Sequence, residues 1–127
     1  MLKAVVFLKK REDLTREQFI DYYENHHAPL IRRLLPSIAE YRRNYFDLSR
    51  GTRLDEDRQI GFDVLTEIWF EDRKAWEDFL AATSDPQIIQ QIAEDEQNFI
   101  DRTKNLCIGV DEYRFASGAV ESERLTA

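Results

Sequence analysis

The spacing of apolar residues changes along the chain, and each change marks an element. Residues 2–8, LKAVVFL, are apolar at both parities except at Lys3, which predicts a strand covered on both faces. From Thr15 the spacing turns helical. Phe19, Ile20, Tyr22, Tyr23, Leu30, Ile31, Leu34 and Leu35 recur at three- and four-residue steps. Thr15 and Gln18 form a capping box, and Leu14 and Phe19 occupy the positions of a hydrophobic staple. Pro29 has no N–H to donate and pushes Ala28 away from α geometry. The pattern therefore predicts a helix over 15–26, a break at 27–28, and a short helix from Pro29 that ends at Pro36.

Residues 38–48 predict a second strand and 62–70 a third. Between them, 49–61 is a long, charge-rich loop, a length often used for lids or partner-binding segments. Asp72 is placed to cap a helix carrying Ala75, Trp76, Phe79 and Leu80. Asp85 and Pro86 read as N-cap and N1 of a further helix with the apolar face Ile88, Ile89, Ile92, Ala93 and Phe99. Residues 105–115 predict the last strand. The tail 116–127 has little to bury and reads as loose, so the domain is expected to span 1–115.

The order βαββαβ is the ferredoxin-like, α+β arrangement: an antiparallel sheet with its helices on one face. The other face of such a sheet is normally polar at alternate positions. Here it is not. Val5 and Phe7 back the first strand, Leu65 and Trp69 the third, and Cys107, Tyr113 and Phe115 oppose Leu106, Ile108 and Val110 in the last. A second copy packed sheet to sheet is the simplest cover, giving a homodimer.

Composition narrows the function classes. The chain has 127 residues, 43% of them hydrophobic and 34% charged, enough for one core and a well-solvated surface. Its 18 Lys and Arg stand against 25 Asp and Glu, a net charge of −7. That sign disfavours nucleic acid and anionic membranes as partners. The single cysteine, Cys107, allows no intrachain disulfide and no cysteine-based zinc site. The apolar stretch after Met1 is too short for a signal core or a membrane span, so a cytoplasmic protein is expected.

The histidines, His26 and His27, are adjacent and are the only two. Neighbouring helical residues diverge by about 100°, so the pair is not expected to hold a metal. His27 lies one turn from Tyr23 and from Ile31, on the inward row, while His26 falls at its edge. A histidine at a helix end, where the dipole favours its protonated form, suits acid–base work. The alternative is a histidine that only satisfies backbone groups at the break. Polar residues also interrupt the apolar strands: Tyr41, Arg43 and Tyr45 on one face of the second, Arg42 and Asn44 on the other, and Asp63, Glu67 and Trp69 together on the third. They either pair across a dimer or line a ligand cavity. No phosphate loop, nucleophile elbow, Cys–His pair or nucleotide fingerprint is present, and no tightly held cofactor is expected.

The stretch from Lys3 to Ile31 resembles the opening of the EthD family, with Leu14-Thr15, Phe19, Tyr23 and His27-Ala28-Pro29-Leu30 at the matching positions. Tyr41-Arg42-Arg43-Asn44 is similar to that family's second strand, and Phe62 to Phe70 to its third. The resemblance spans most of 3–115. It implies a dimeric α/β barrel, with His27 as the family's histidine and Asp63 and Glu67 as its strand-three acids. Val64 stands where the family usually has glycine, which would narrow a pocket, and the loop 49–61 is longer than usual.

The family is named for an accessory protein of ether degradation. Wider relatives include cofactor-free monooxygenases, polyketide cyclases, dehydratases, lactone isomerases and haem-degrading enzymes. The resemblance thus implies a scaffold more firmly than a reaction. Two readings stand. In one, the protein is a cofactor-independent oxidoreductase (monooxygenase), dehydratase or isomerase. His27 acts as acid or base on a small apolar or aromatic metabolite, with Tyr23, Tyr41, Asn44, Asp63, Glu67 and Trp69 binding it. In the other, it is a non-catalytic ligand-binding or accessory dimer. The surroundings of His27 separate them: an enzyme needs the ring open to a cavity with a polar partner, whereas a scaffold needs it sealed and bonded to backbone. Haem degradation is disfavoured by the −7 charge.

Overall fold

In the computed structural model, residues 1–51 and 60–127 are described. Of the charged loop at 49–61, residues 52–59 lie outside the described residues. Strand β1 (Leu2–Leu8) leads into α1 (Arg16–Tyr22), a π-helical turn (Tyr23–His27) and α2 (Ala28–Leu34). There follow β2 (Glu40–Tyr45), β3 (Val64–Phe70), α3 (Arg73–Ala82), α4 (Pro86–Glu96) and β4 (Leu106–Val110). A short ribbon of β5 (Tyr113–Arg114) and β6 (Glu123–Arg124) ends the chain.

The four main strands form one antiparallel sheet in the order β2-β3-β1-β4, the ferredoxin-like order, and β1 sits at its centre with β3. One parity of each strand faces the helices. Val64, Thr66, Ile68 and Phe70 of β3 and Ala4 and Leu8 of β1 are buried there. Two apolar clusters fill the space. One gathers Leu8, Phe19, Tyr23, Val64 and Phe99; the other gathers Ile31, Leu35, Ile38, Ile68, Phe70 and Phe79. Each such ring or branched chain stabilises the fold by about 1.5–3 kcal/mol through burial. The opposite parity, Lys3, Val5 and Phe7 with Leu65, Glu67 and Trp69, forms the sheet's other face.

The caps are those the sequence implies. Thr15 and Gln18 make the reciprocal capping box, Asp72 accepts from the Ala75 N–H, and Asp85 accepts from the Gln87 N–H. The expected break at 27–28 does not occur. Ala28 keeps α geometry at φ −60°, ψ −44°, and its N–H donates to the Tyr23 carbonyl five residues back. Pro29 can neither bond to the carbonyl four residues back nor tolerate it close to its ring. Widening one turn solves both problems, so the helix runs on to Leu34. His27 therefore lies inside a helix, and the dipole of a helix end does not act on it.

The last strand is also shorter than expected. The sheet strand stops at Val110, and Tyr113 and Phe115 are exposed on the terminal ribbon rather than covering the sheet's second face. The tail is tied down at its far end: Leu125 N–H donates to Glu112 O, Ala127 N–H to Met1 O, and Thr126 is buried. Only its turn, with Val120 fully out in solvent, fits the expectation of a loose segment.

Candidate functional site

His27 comes from the π turn and points inward; its side chain is 5% exposed. Its ring packs on Phe99, centroids 4.8 Å apart, and edge-on against Tyr23 at 5.3 Å. Nδ1 lies 2.7 Å from Asp95 Oδ2 on α4. The other Asp95 oxygen accepts from the Tyr22 hydroxyl at 2.7 Å, and Asn98 donates to that hydroxyl at 2.9 Å. Both Asp95 oxygens are thus engaged, and the carboxylate fixes the ring. Burial lowers the His27 pKa, and the Asp95 charge, which acts the other way, does not fully offset it. The consistent state is a neutral imidazole that donates its Nδ1–H to Asp95 and keeps the Nε2 lone pair free. His26, one residue earlier, is exposed and stacks on Tyr22 at 4.7 Å.

Beside His27 three hydroxyls meet. Tyr23 Oη lies 2.8 Å from Thr66 Oγ1 and 3.0 Å from Tyr41 Oη. Burial pushes the Tyr23 hydroxyl pKa up to about 12, and that of Tyr41 also rises through burial. All three groups are therefore neutral near pH 7. Their three protons serve two mutual bonds, so one proton remains to be donated to whatever lies alongside. An ion pair behind Tyr41 holds it in place. Arg43 forms a bidentate pair with Glu24 at 2.9 and 2.7 Å and donates to the Tyr41 carbonyl, and Tyr45 donates to Glu24.

These groups line a cavity of about 290 Å³ between the helices and the sheet. Val6, Leu8, Ile31, Ile68, Phe79 and Ile92 make most of its wall apolar; His27, Tyr23, Tyr41, Thr66, Glu96 and Cys107 add polar atoms. Burial raises the Glu96 carboxyl pKa, with Arg102 acting in the opposite sense. An apolar space with a few convergent polar groups suits a small organic molecule. Among the described residues, no three His, Cys, Asp or Glu side chains converge as metal ligands.

The seven residues singled out in the sequence do not share this space. His27, Tyr23 and Tyr41 line it. Asn44, Glu67 and Trp69 lie across the sheet, on its other face. There Asn44 donates to Leu65 O at 3.0 Å and to Glu67 at 3.1 Å. Glu67 meets Lys3 at 2.5 Å, and Lys3 lies over the Trp69 ring at 4.7 Å. Asp63 sits before β3 and accepts from the Lys10 N–H at 2.7 Å. The parity of β3 separates these residues from the cavity, since 63, 65, 67 and 69 face away from the helices. Val64 is buried in the core and is not part of the cavity wall.

Sequence reasoning passed over Thr66, Asp95, Glu96 and Cys107. Thr66 shares its parity with Val64 and Ile68, and Asp95 stands three residues after Ile92 and four before Phe99. Those positions were the available signal.

Residues 11–103 match the EthD domain. Several solved structures share the fold. An Arabidopsis thaliana protein matches with a TM-score of 0.61 at 16% identity, over 91% of this chain and 99% of that one. An EthD family protein of Bacillus halodurans matches with a TM-score of 0.59 at 18% identity, over 88% and 99%. HapK of Hahella chejuensis gives 0.57 at 14%, over 93% and 100%. Comparison with curated proteins finds no significant match. No described helix is long and apolar enough to cross a membrane.

Proposed function

The chain belongs to the EthD family, and we propose that its helix-side cavity binds a small, largely apolar or aromatic metabolite on which His27 acts as a general base. The observation that carries this reading is the state of His27. The ring faces the cavity, and its polar partner is a side-chain carboxylate rather than backbone, the arrangement required of an enzyme and not of a sealed structural histidine. A base must keep its lone pair at neutral pH, and burial supports that by disfavouring the imidazolium. Tyr23, Tyr41 and Thr66 would supply one hydroxyl proton to an oxygen of the bound molecule. Proton-transfer chemistry of this kind serves an isomerase or dehydratase directly, and an oxygenase that begins by deprotonating its substrate.

The test is an NMR titration with small cyclic ketones and phenols, 2-tetralone among them. Molecules that bind should move the His27 ring signals and those of Tyr23 and Tyr41. Binding that moves only Asn44, Glu67 and Trp69 would place the site on the other face and end this reading.

The sheet's other face is the dimer surface in the same proposal. Leu106 and Ile108 are 45% and 44% exposed in the single chain, beside Val5 and Phe7. The buried Trp69 Nε1–H there has no acceptor among the described residues. A second copy would cover the apolar residues and bring polar atoms near that indole. Light scattering should give twice 15.1 kDa; a monomer mass at micromolar concentration defeats the dimer.

A further inference from the structure

We propose that Glu96 is the cavity's second proton-transfer group, the acid that works opposite the base His27, and that the bound molecule is isomerised by moving one proton between two of its atoms. This rests on the reading of His27 as a base in that cavity. The first support is placement. Asp95 and Glu96 are consecutive at the end of α4, so their side chains diverge by about 100°. Asp95 turns to His27 Nδ1, and Glu96 turns into the cavity wall that also holds His27.

The second support is the poor pairing of Glu96. Its side chain is 13% exposed, yet its cation, Arg102, is 43% exposed and no closer than 3.6 Å. A structural ion pair of this kind is ordinarily tight, as Arg43–Glu24 is at 2.7 Å in the same molecule. The groups beside Glu96 are Arg102 and Asn105 beyond the end of α4 and its neighbour Asp95, and His27 and Cys107 line the same cavity. Burial dominates, which favours the protonated carboxyl. The same burial favours neutral His27. One group rises and the other falls, so their titrations move toward each other and the two can hold or release protons over a shared pH range.

The step balances without a co-reactant. His27 Nε2 takes a proton from one atom of the bound molecule, and the electron pair of that bond shifts through the molecule. A second atom then forms its bond to the proton of Glu96. The site is left as imidazolium and carboxylate. Return of the proton from His27 to Glu96, through water once the product leaves, restores it.

The test uses the full chain labelled with 15N in the histidine rings and 13C in the glutamate carboxyls, titrated from pH 4 to 9. One carboxyl signal should titrate above the ordinary glutamate range and vanish in Glu96→Gln. Because the two titrations overlap, Glu96 is partly ionised at the His27 midpoint, and in that variant the midpoint should fall by up to about half a pH unit as the carboxylate's pull on the imidazolium is removed. Arg102→Gln, which keeps both groups, should raise the Glu96 midpoint further. A merely structural Glu96 would leave the His27 midpoint unchanged in Glu96→Gln, and that result overturns the proposal while His27 stands. A wild-type His27 ring already protonated at pH 7, or carrying its proton on Nε2, would instead overturn the base itself and with it the pairing. If Glu96→Gln does not fold, a wild-type chain in which no glutamate carboxyl titrates above the ordinary range is sufficient to reject the role.

Discussion

The two faces of β3 are one residue apart in sequence and quite different in chemistry. Toward the helices, Thr66 is fully buried among Val64, Ile68 and Phe70, and its hydroxyl is bonded to another neutral hydroxyl. Toward the other side, Glu67 pairs with the charged Lys3 and accepts from the neutral Asn44 amide, and Lys3 lies over Trp69. The helix side holds few charges, each in a set place: Asp95 is matched to the His27 ring, Arg43 to Glu24, and Glu96 is buried near Arg102. The other side tolerates formal charges because each is paired and one partner reaches solvent, as Glu112 does for Lys3. The lesson is that a polar residue in an apolar strand means different things on different parities. On the enclosed side it is poised for a guest, and on the open side its charge is already paired with its neighbours.

The largest effect that sharpens this contrast is at Phe99, fully buried and in ring contact with Phe19, Tyr22, Tyr23 and His27. Phe99→Ala should cost about 3–5 kcal/mol in chemical denaturation. Ile108→Ala on the other face should leave the monomer within about 0.5 kcal/mol and act on self-association instead. Equal losses from the two would mean the faces are not distinct.

Next is catalysis. Once a molecule that turns over is in hand, His27→Ala should slow it by about 10²–10⁴, and His26→Ala should change little. Comparable losses from both would remove the distinction between the inward and exposed rings. Tyr23→Phe comes third. It deletes the central hydroxyl and leaves those of Tyr41 and Thr66 without their shared partner, a stability loss of about 1–2 kcal/mol. It should also weaken ketone binding in the NMR titration.

The pH dependence of stability gives a smaller signal of fixed sign. Because the folded-state pKa of His27 is lowered, the unfolded chain binds the extra proton first. The His27 contribution is therefore complete above the ordinary imidazole range and lost as pH falls below about 6.5 toward the folded value. Glu96, with a raised pKa, has the opposite sign. Its buried charge weighs on the fold above the raised value and is relieved as pH falls toward the ordinary carboxylate range. Melting temperatures of His27→Gln should thus fall less steeply below pH 6.5 than those of the unaltered chain; a steeper fall would contradict a neutral His27. The smallest effect is Asn44→Ala, about 0.5 kcal/mol or less, with no change in ligand binding.

Much of this was legible in the sequence. Periodicity located each sheet strand and helix, the caps at Thr15, Asp72 and Asp85 fell where expected, and the inward row singled out His27 over His26. What was not legible had two physical causes. Alternation within β3 is plain in the sequence, but it does not say which parity faces the helices, since aromatic and acidic residues such as Trp69 and Glu67 fit either face. The acids of α4 were hidden because Asp95 and Glu96 sit near the solvent-facing stripe of an amphipathic pattern. Their partners, His27 and Arg102, are far away or past the helix end. The break expected at Pro29 was a local rule overridden by a local remedy.

That remedy also sets the helix in phase. Phe19, Tyr23, His27, Ile31 and Leu35 are four residues apart, and all five are buried, at 1%, 1%, 4%, 6% and 3% exposure. A four-residue step in an α-helix overshoots a full turn by about 40°, so four such steps would spread the row over about 160° and carry one end into solvent. The wide turn from Tyr23 to His27 winds back part of the overshoot. It works like a leap day in a calendar, with one extra unit inserted so that a drifting count stays aligned with the core. Deleting a single residue there, or replacing Pro29 so that the turn can tighten, would shift everything downstream out of step and rotate either His27 or Ile31 away from the cavity.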